Sequence, residues 1–257
     1  MMSRQSASSL IPPELSEVLR SALYGVVLTG AGISAESGIP TFRDAQTGLW
    51  AKYSPEELAS PQAFRRNPKL VWEWYAWRRE LVAQANPNPG HLALAELERR
   101  MPRFTLITQN VDGLHQQAGS HNVVELHGNL NRSKCFEEGD IVNSWPPGPD
   151  VPPRCPRCGG YLRPDVVWFG ETLPPQALRA AFEAAQQCDL FFAIGTSGLV
   201  QPAASLPYEA LRRGMPVVEI NPDETPLTQS ATYALAGPAG QILPELLKQL
   251  NLKNDKE

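Results

Sequence analysis

Gly25-Val-Val-Leu-Thr29 runs directly into Gly30-Ala-Gly32-Ile-Ser-Ala35. An apolar run of strand length closed by a glycine-rich turn reads as a buried strand entering a helix. The spacing Gly30-x-Gly32-x-x-Ala35 matches the dinucleotide fingerprint in its Gly/Ala form. Gly30 permits a tight turn, and Gly32 lets backbone amides approach a pyrophosphate near a helix N-terminus. The same turn also occurs where no ligand binds. The acid that usually reads the ribose about 20 residues further on is not evident, and Asp44 comes too early. A hydride-transferring dehydrogenase is therefore a poor fit.

Outward from this turn the strand–helix rhythm continues. Strand-length apolar runs recur at 104–108, 189–194 and 216–220, with helical stretches at 14–22, 91–100, 175–187, 203–213 and 243–250. Alternating strands and helices predict an α/β fold, a Rossmann-like parallel sheet covered by helices on both faces. Two segments interrupt it. Residues 51–86 look helical, and Ser54-Pro-Glu-Glu57 offers a cap, a proline at the first position and a glutamate at the third. Residues 132–164 are rich in Pro, Gly and Cys and lack helical periodicity. The expected organisation is a nucleotide-binding domain from 1–50, 87–131 and 165–257, with 51–86 and 132–164 building a smaller second domain. Residues 253–257 form a polar tail.

A net charge of -4 gives no basic field for nucleic acid or a membrane surface. No signal core or membrane-spanning run is present. A cytoplasmic monomer is expected. Cys135, Cys155, Cys158 and Cys188 are too few for a disulfide scaffold and fit a reducing compartment with a metal site.

The longer string from Gly30 to Arg43, Gly-Ala-Gly-Ile-Ser-Ala-Glu-Ser-Gly-Ile-Pro-Thr-Phe-Arg, resembles the opening motif of the sirtuins, the NAD-dependent protein deacylases. Thr108-Gln-Asn-Val-Asp112, Glu125-Leu-His-Gly128, Gly195-Thr-Ser197 and Asn221-Pro222 resemble further sirtuin motifs, in the family's order. The resemblance runs from about residue 25 to residue 247.

The resemblance implies a reaction. The acyl-lysine carbonyl oxygen attacks the ribose carbon bearing nicotinamide, nicotinamide leaves, and an alkylimidate forms. A histidine then helps deprotonate a ribose hydroxyl, yielding free lysine and O-acyl-ADP-ribose. By motif match His127 is the general base, suited by an ordinary pKa near neutrality. Asn110 orders the ribose and nearby water, and Asp112 receives the nicotinamide carboxamide. Gly30, Ala31, Gly32, Ala35 and Gln109 belong to the NAD site. Phe42 would shield the reacting centre, and Arg43 would serve the phosphate or ribose region. Gly195, Thr196, Ser197 and Asn221 make ribose and adenine contacts, with Ala239 on the adenine side. His91, His115 and His121 keep ordinary structural readings.

Val167-Trp-Phe-Gly-Glu171 resembles the segment that pairs with the substrate backbone and walls the lysine tunnel. This assigns Val167, Phe169, Gly170 and Glu171 to substrate, though Trp168 and Phe169 also suit a core strand. Tyr75-Ala-Trp-Arg78 resembles the Tyr-x-x-Arg signature of the branch that removes succinyl and malonyl groups. There Tyr75 and Arg78 would hold the distal carboxylate. The competing reading pairs Arg78 with Glu73, Glu80 or Glu171, or lets it reach the edge.

Family members carry two Cys-x-x-Cys pairs that hold a structural zinc. Here Cys155-Pro-Arg-Cys158 is intact, but Cys135 is followed at the expected position by Glu138. A carboxylate can ligate zinc, so three sulfurs and one oxygen form one option, and a metal-free, proline-packed segment the other. Acylated lysines of other proteins are the expected partners. Rival activities are ADP-ribosyl transfer to protein, simple deacetylation, and a non-catalytic NAD-binding module.

Overall fold

Strand β1, Tyr24–Thr29, is buried at every position. It lies at the centre of a sheet ordered β3-β2-β1-β7-β8-β9, in which every pairing is parallel. The computed structural model describes residues 11–40 and 53–251. Phe42 and Arg43 lie outside these, as does the 253–257 tail.

The chain begins with α1 (Pro13–Ser21), β1, the short α2 (Gly32–Ala35) and three insertion helices, α3 (Pro55–Leu58), α4 (Pro61–Arg66) and α5 (Pro68–Gln84). It continues through α6 (Pro89–Arg100), β2 (Arg103–Thr108), α7 (Leu114–Gln117) and β3 (Val123–Glu125). Next come β4 (Gly128–Cys135), β5 (Ile141–Val142) and β6 (Leu162–Val166). Then follow α8 (Pro175–Gln187), β7 (Leu190–Ile194), α9 (Leu206–Arg212), β8 (Val217–Asn221), β9 (Tyr233–Ala236) and α10 (Ala239–Asn251).

Alternate residues of β1 serve opposite faces, as strand geometry requires. Val27 joins Phe192, Leu94 and Leu243 under α1, α6 and α10. Val26 and Leu28 join Phe191, Ile107 and Ala181 under α8 and α9. Both faces are thus covered, which is why the strands read as continuous apolar runs.

The predicted cap at Ser54 forms: its Oγ accepts from Glu57 N at 3.3 Å, while Ser54 N donates to Glu57 Oε2 at 2.7 Å. The 132–164 stretch contributes to a second, antiparallel sheet ordered β5-β4-β6, in which β4 and β6 run across the two ends of that stretch and β5 lies within it. One core reaches both insertions: Phe64, Val71, Trp74 and Tyr75 pack with Leu130, Val166 and Trp168, and Phe136 and Tyr161 of the 132–164 stretch pack against it. The helix expected at 203–213 is divided, with a short 3-10 turn at Ala203–Ser205 before α9. The last helix starts at Ala239, earlier than the sequence pattern suggests, and contains Pro244. No helix among the described residues is long and apolar enough to cross a membrane.

Candidate functional site

The loops that follow β1, β2, β3, β7 and β8 all leave the same edge of the sheet, because the strands are parallel. From β1 the chain pairs with β2 on one side and β7 on the other. That is a topological switch point, where open α/β sheets form their ligand crevice. Gly30 to Ala35 occupy the turn and α2 at this point. A Cβ on Gly30 would lie 2.7 Å from Gly195 O, and one on Gly195, whose φ is +57°, would lie 2.4 Å from Ile33 N. The two loops therefore close backbone against backbone, an approach open only to glycine. Ala239 lies at the start of α10, where the next amide, Gly240 N, donates to Glu36 Oε2 at 2.7 Å.

Side chains stitch the other loops to this pair. Gln109 Nε2 donates to Thr196 Oγ1 at 3.0 Å, and Asn221 Nδ2 donates to Thr196 O at 3.1 Å. Asn110 spends its amide hydrogens on Gly30 O and Ser34 Oγ, both at 3.1 Å. Its Oδ1 takes no part in these two bonds. Ser34 Oγ in turn donates to Asp112 Oδ2 at 2.7 Å. Asp112 is buried, and desolvation raises its pKa, opposed by Leu114 N–H, Ser34 and Arg78.

The sequence reading missed what lies behind this hub. His91, buried on α6, receives Asn88 N–H at Nδ1, so its Nε2 carries the proton toward Ser34 Oγ at 3.4 Å. Thr29 Oγ1 donates to Thr108 Oγ1 at 2.9 Å, so His115 Nε2, also at 2.9 Å, must donate to Thr29. Thr108 Oγ1 also accepts Asn110 N–H at 3.0 Å. The two imidazoles face each other with centroids 4.9 Å apart. Burial pushes His91 down to about 4 and His115 down to about 3.

Both histidines are thus neutral when folded and chargeable when unfolded. Below an ordinary imidazole pKa of about 6.5 the unfolded chain binds more protons, so stability falls with pH until the folded values are reached. The melting temperature is expected to drop between pH 7 and pH 5. Replacing His115 by glutamine should flatten that dependence, and an unchanged slope would contradict it.

His127 follows β3 and is half-buried. Its Nδ1 lies 2.9 Å from Gln109 O. A carbonyl only accepts, so Nδ1 holds the proton and Nε2 is bare. Desolvation lowers the His127 pKa, with the Gln109 bond acting in the opposite sense. His127 O accepts from Val167 N at 2.9 Å, which ties the histidine to the segment after β6.

In that segment the N–H groups of Val167, Trp168 and Phe169 are given to His127 O, Glu171 Oε2 and Ala59 O. Val167 C=O and Gly170 N–H take no part in these bonds. Trp168 is buried, whereas Phe169 is 47% exposed, so only the tryptophan enters the core. Glu171 binds Arg163 through both oxygens. Tyr75 and Arg78 share one face of α5; Tyr75 is buried, and the Arg78 guanidinium lies 5.1 Å from the Trp74 ring centroid.

Away from the crevice, Cys135, Glu138, Cys155 and Cys158 bring one ligand atom each to within 4.8 Å of one another. Cys135 Sγ and Cys158 Sγ are 3.4 Å apart. Sulfurs bound to one zinc at about 2.3 Å stand roughly 3.8 Å apart, so the donor set fits tetrahedral zinc. The amides of Glu138 and Gly160 donate to Cys135 and Cys158 sulfurs at 3.5 and 3.4 Å. Those of Cys158 and Arg157 hold the Cys155 thiol down to about 7. Elemental analysis should find about one zinc per chain. Cys158→Ser should lower the melting temperature by roughly 5–10 °C, because metal binding is coupled to folding. Metal-free protein with unchanged melting would leave a packing-only segment. Cys188 is buried elsewhere, its Sγ 3.3 Å from Ala185 O.

A crevice at the switch point of a parallel sheet, in a chain that also carries a cysteine-bearing insertion, defines an α/β nucleotide-binding architecture. The Sir2 family model matches residues 30–202, and the chain belongs to the Sir2 family. It is 58% identical over 207 residues to an NAD-dependent protein deacylase of Aquifex aeolicus, covering 80% of this chain and 86% of that protein. It is 51% identical over 249 residues to NAD-dependent protein deacylase 1 of Pseudomonas aeruginosa, covering 91% and 96%. Among solved structures it is similar to a Sir2 homolog–NAD complex, with TM-score 0.88, 50% identity and coverage of 96% and 97%. It is also similar to a Sir2–p53 peptide–NAD+ complex, with TM-score 0.80, 31% identity and coverage of 94% and 99%.

Proposed function

We propose that this chain is an NAD-dependent protein-lysine deacylase that prefers succinyl- and malonyl-lysine over acetyl-lysine. The NAD-dependent deacylase part rests on family membership and on relatives of that activity at 50–58% identity. The observation that carries the site assignment is the His127 imidazole, which has Nδ1–H on the carbonyl of Gln109, the residue next to Asn110, and so leaves Nε2 without a proton. Nε2 is then the atom that takes a proton from a ribose hydroxyl. Asn110 Oδ1 accepts from ribose or an ordered water, and Asp112, fixed by Ser34, accepts from the nicotinamide carboxamide. NAD is consumed as co-substrate, supplying the ribose carbon that receives the acyl oxygen, and the acyl group ends on ADP-ribose.

Backbone pairing through Val167 C=O and Gly170 N–H would accept varied peptides, because main-chain hydrogen bonds are sequence-blind. The acyl preference is supported by Tyr75 and Arg78, an O–H donor and a cation on one face of α5. The test is nicotinamide release from NAD against acetyl-, succinyl- and malonyl-lysine peptides, with product masses. Acyl loss with kcat/KM highest on succinyl or malonyl is expected. Highest kcat/KM on acetyl would make it a plain deacetylase, and gain of ADP-ribose on the peptide would favour transfer to protein.

A further inference from the structure

The Tyr75 hydroxyl meets Trp168 Nε1 at 2.9 Å, both side chains being buried. An indole N–H can only donate, so the direction of this bond is fixed: Trp168 gives and Tyr75 accepts. The phenolic proton is thereby turned away from Trp168, and no acceptor among the described residues takes it. Accepting a hydrogen bond also polarises the O–H and makes it a better donor.

Trp168 is itself held on three sides. Its backbone N–H donates to Glu171 Oε2 at 2.8 Å. The Arg163 guanidinium stacks on its ring, 3.2 Å from the centroid, while pairing with Glu171 and donating to Val166 O at 2.7 Å. Phe64 closes the remaining side with ring centroids 5.3 Å apart. A cation against the indole face draws electron density from the ring and strengthens its N–H as a donor. The Arg163–Glu171 pair, with Arg163 buried and Glu171 partly exposed, thus holds the ring whose N–H is bonded to Tyr75.

We propose that Trp168 is a positioning residue for acyl recognition: it holds the Tyr75 oxygen as an acceptor, so that the phenolic proton is presented, beside Arg78, to the distal carboxylate of a succinyl or malonyl group. This rests on the acyl preference proposed above. Burial raises the Tyr75 hydroxyl to about 12, against the lowering influence of Arg78 and Trp168, so the proton is retained at physiological pH.

The test is a double-mutant cycle read as the ratio of succinyl to acetyl kcat/KM. Trp168→Phe keeps an aromatic ring and removes the donor, and should lower the ratio by about 3–10-fold, the range of a single hydrogen bond. In a Tyr75→Phe background the same change should cost the ratio nothing further. Should Trp168→Phe lower the melting temperature markedly, benzothienylalanine at position 168 keeps the bicycle without the N–H and should give the same ratio. Equal loss on both peptides, or a ratio loss that persists in the Tyr75→Phe background, overturns the positioning role. If Tyr75→Phe alone leaves the ratio unchanged, the acyl reading fails and takes this role with it. If Tyr75→Phe shifts the ratio and neither change at 168 does, only the positioning role fails.

Discussion

His127→Ala is expected to lower turnover by about 10²–10⁴-fold, the usual contribution of a positioned general base, while NAD and acyl-peptide still bind. The loss follows from geometry. Gln109 O claims Nδ1–H and leaves Nε2 as the sole basic atom of the ring. Alanine offers no substitute, and the other two buried imidazoles, His91 and His115, have pKa values of about 4 and about 3 and are engaged with Ser34 and Thr29. Binding should survive because the contacts expected to hold NAD lie on the loops after β1, β2, β7 and β8. A pH profile sharpens the test. Burial lowers the His127 pKa, so the base stays neutral further into acid than an ordinary imidazole. The acid limb of kcat/KM should therefore fall below about pH 6.5. Turnover near wild type in the alanine variant, or an acid limb above that value, would remove His127 from the role of base.

The loops that carry this chemistry were legible because each follows an apolar strand directly, and a parallel sheet sends all its carboxyl ends to one edge. Gln109 to Asp112 could be placed from the run before them alone. The edge strands were not legible. β3 is only Val123–Glu125 and half-buried, and Tyr-Ala-Leu-Ala in β9 has a single buried position, so neither shows a pattern above that of a loop. The antiparallel strands of the second sheet were hidden by proline and glycine. Pro244 drew the apparent start of the last helix toward itself, although α10 begins at Ala239. What could not be read at all were hydrogen bonds between distant segments. Thr29 and His115 are 86 residues apart, and Tyr75 and Trp168 are 93 apart. A histidine at the third position of α6 carries no periodic signal that it backs a serine in a glycine loop. Ser34 stood inside a quoted motif, but only its contacts with Asn110, Asp112 and His91 reveal it as a hub.

Arg78→Met is expected to cost about 10–150-fold in kcat/KM on succinyl-lysine, the equivalent of a charged hydrogen bond of about 1.5–3 kcal/mol. Methionine keeps the length and apolar stem of the side chain, so packing against the Trp74 ring should largely persist while the charge is lost. Desolvation works against the Arg78 charge, and Tyr75 and Asp112 work in its favour. A distal carboxylate entering beside Tyr75 would add the planar, bidentate partner that a guanidinium suits best. An acetyl group has nothing to offer it, so acetyl-lysine activity should be nearly unchanged or should rise. Tyr75→Phe should shift the preference the same way but less, because a neutral O–H donor contributes less than a cation. Arg78 also lies in the electrostatic range of Asp112, so its removal should raise the Asp112 pKa further, a small effect that falls alike on both peptides. That common component cancels in the ratio of the two activities, which is therefore the quantity to measure. A fall confined to succinyl-lysine assigns Arg78 to the acyl group; equal falls on both peptides make it a structural cation of α5 and leave the enzyme a general deacylase.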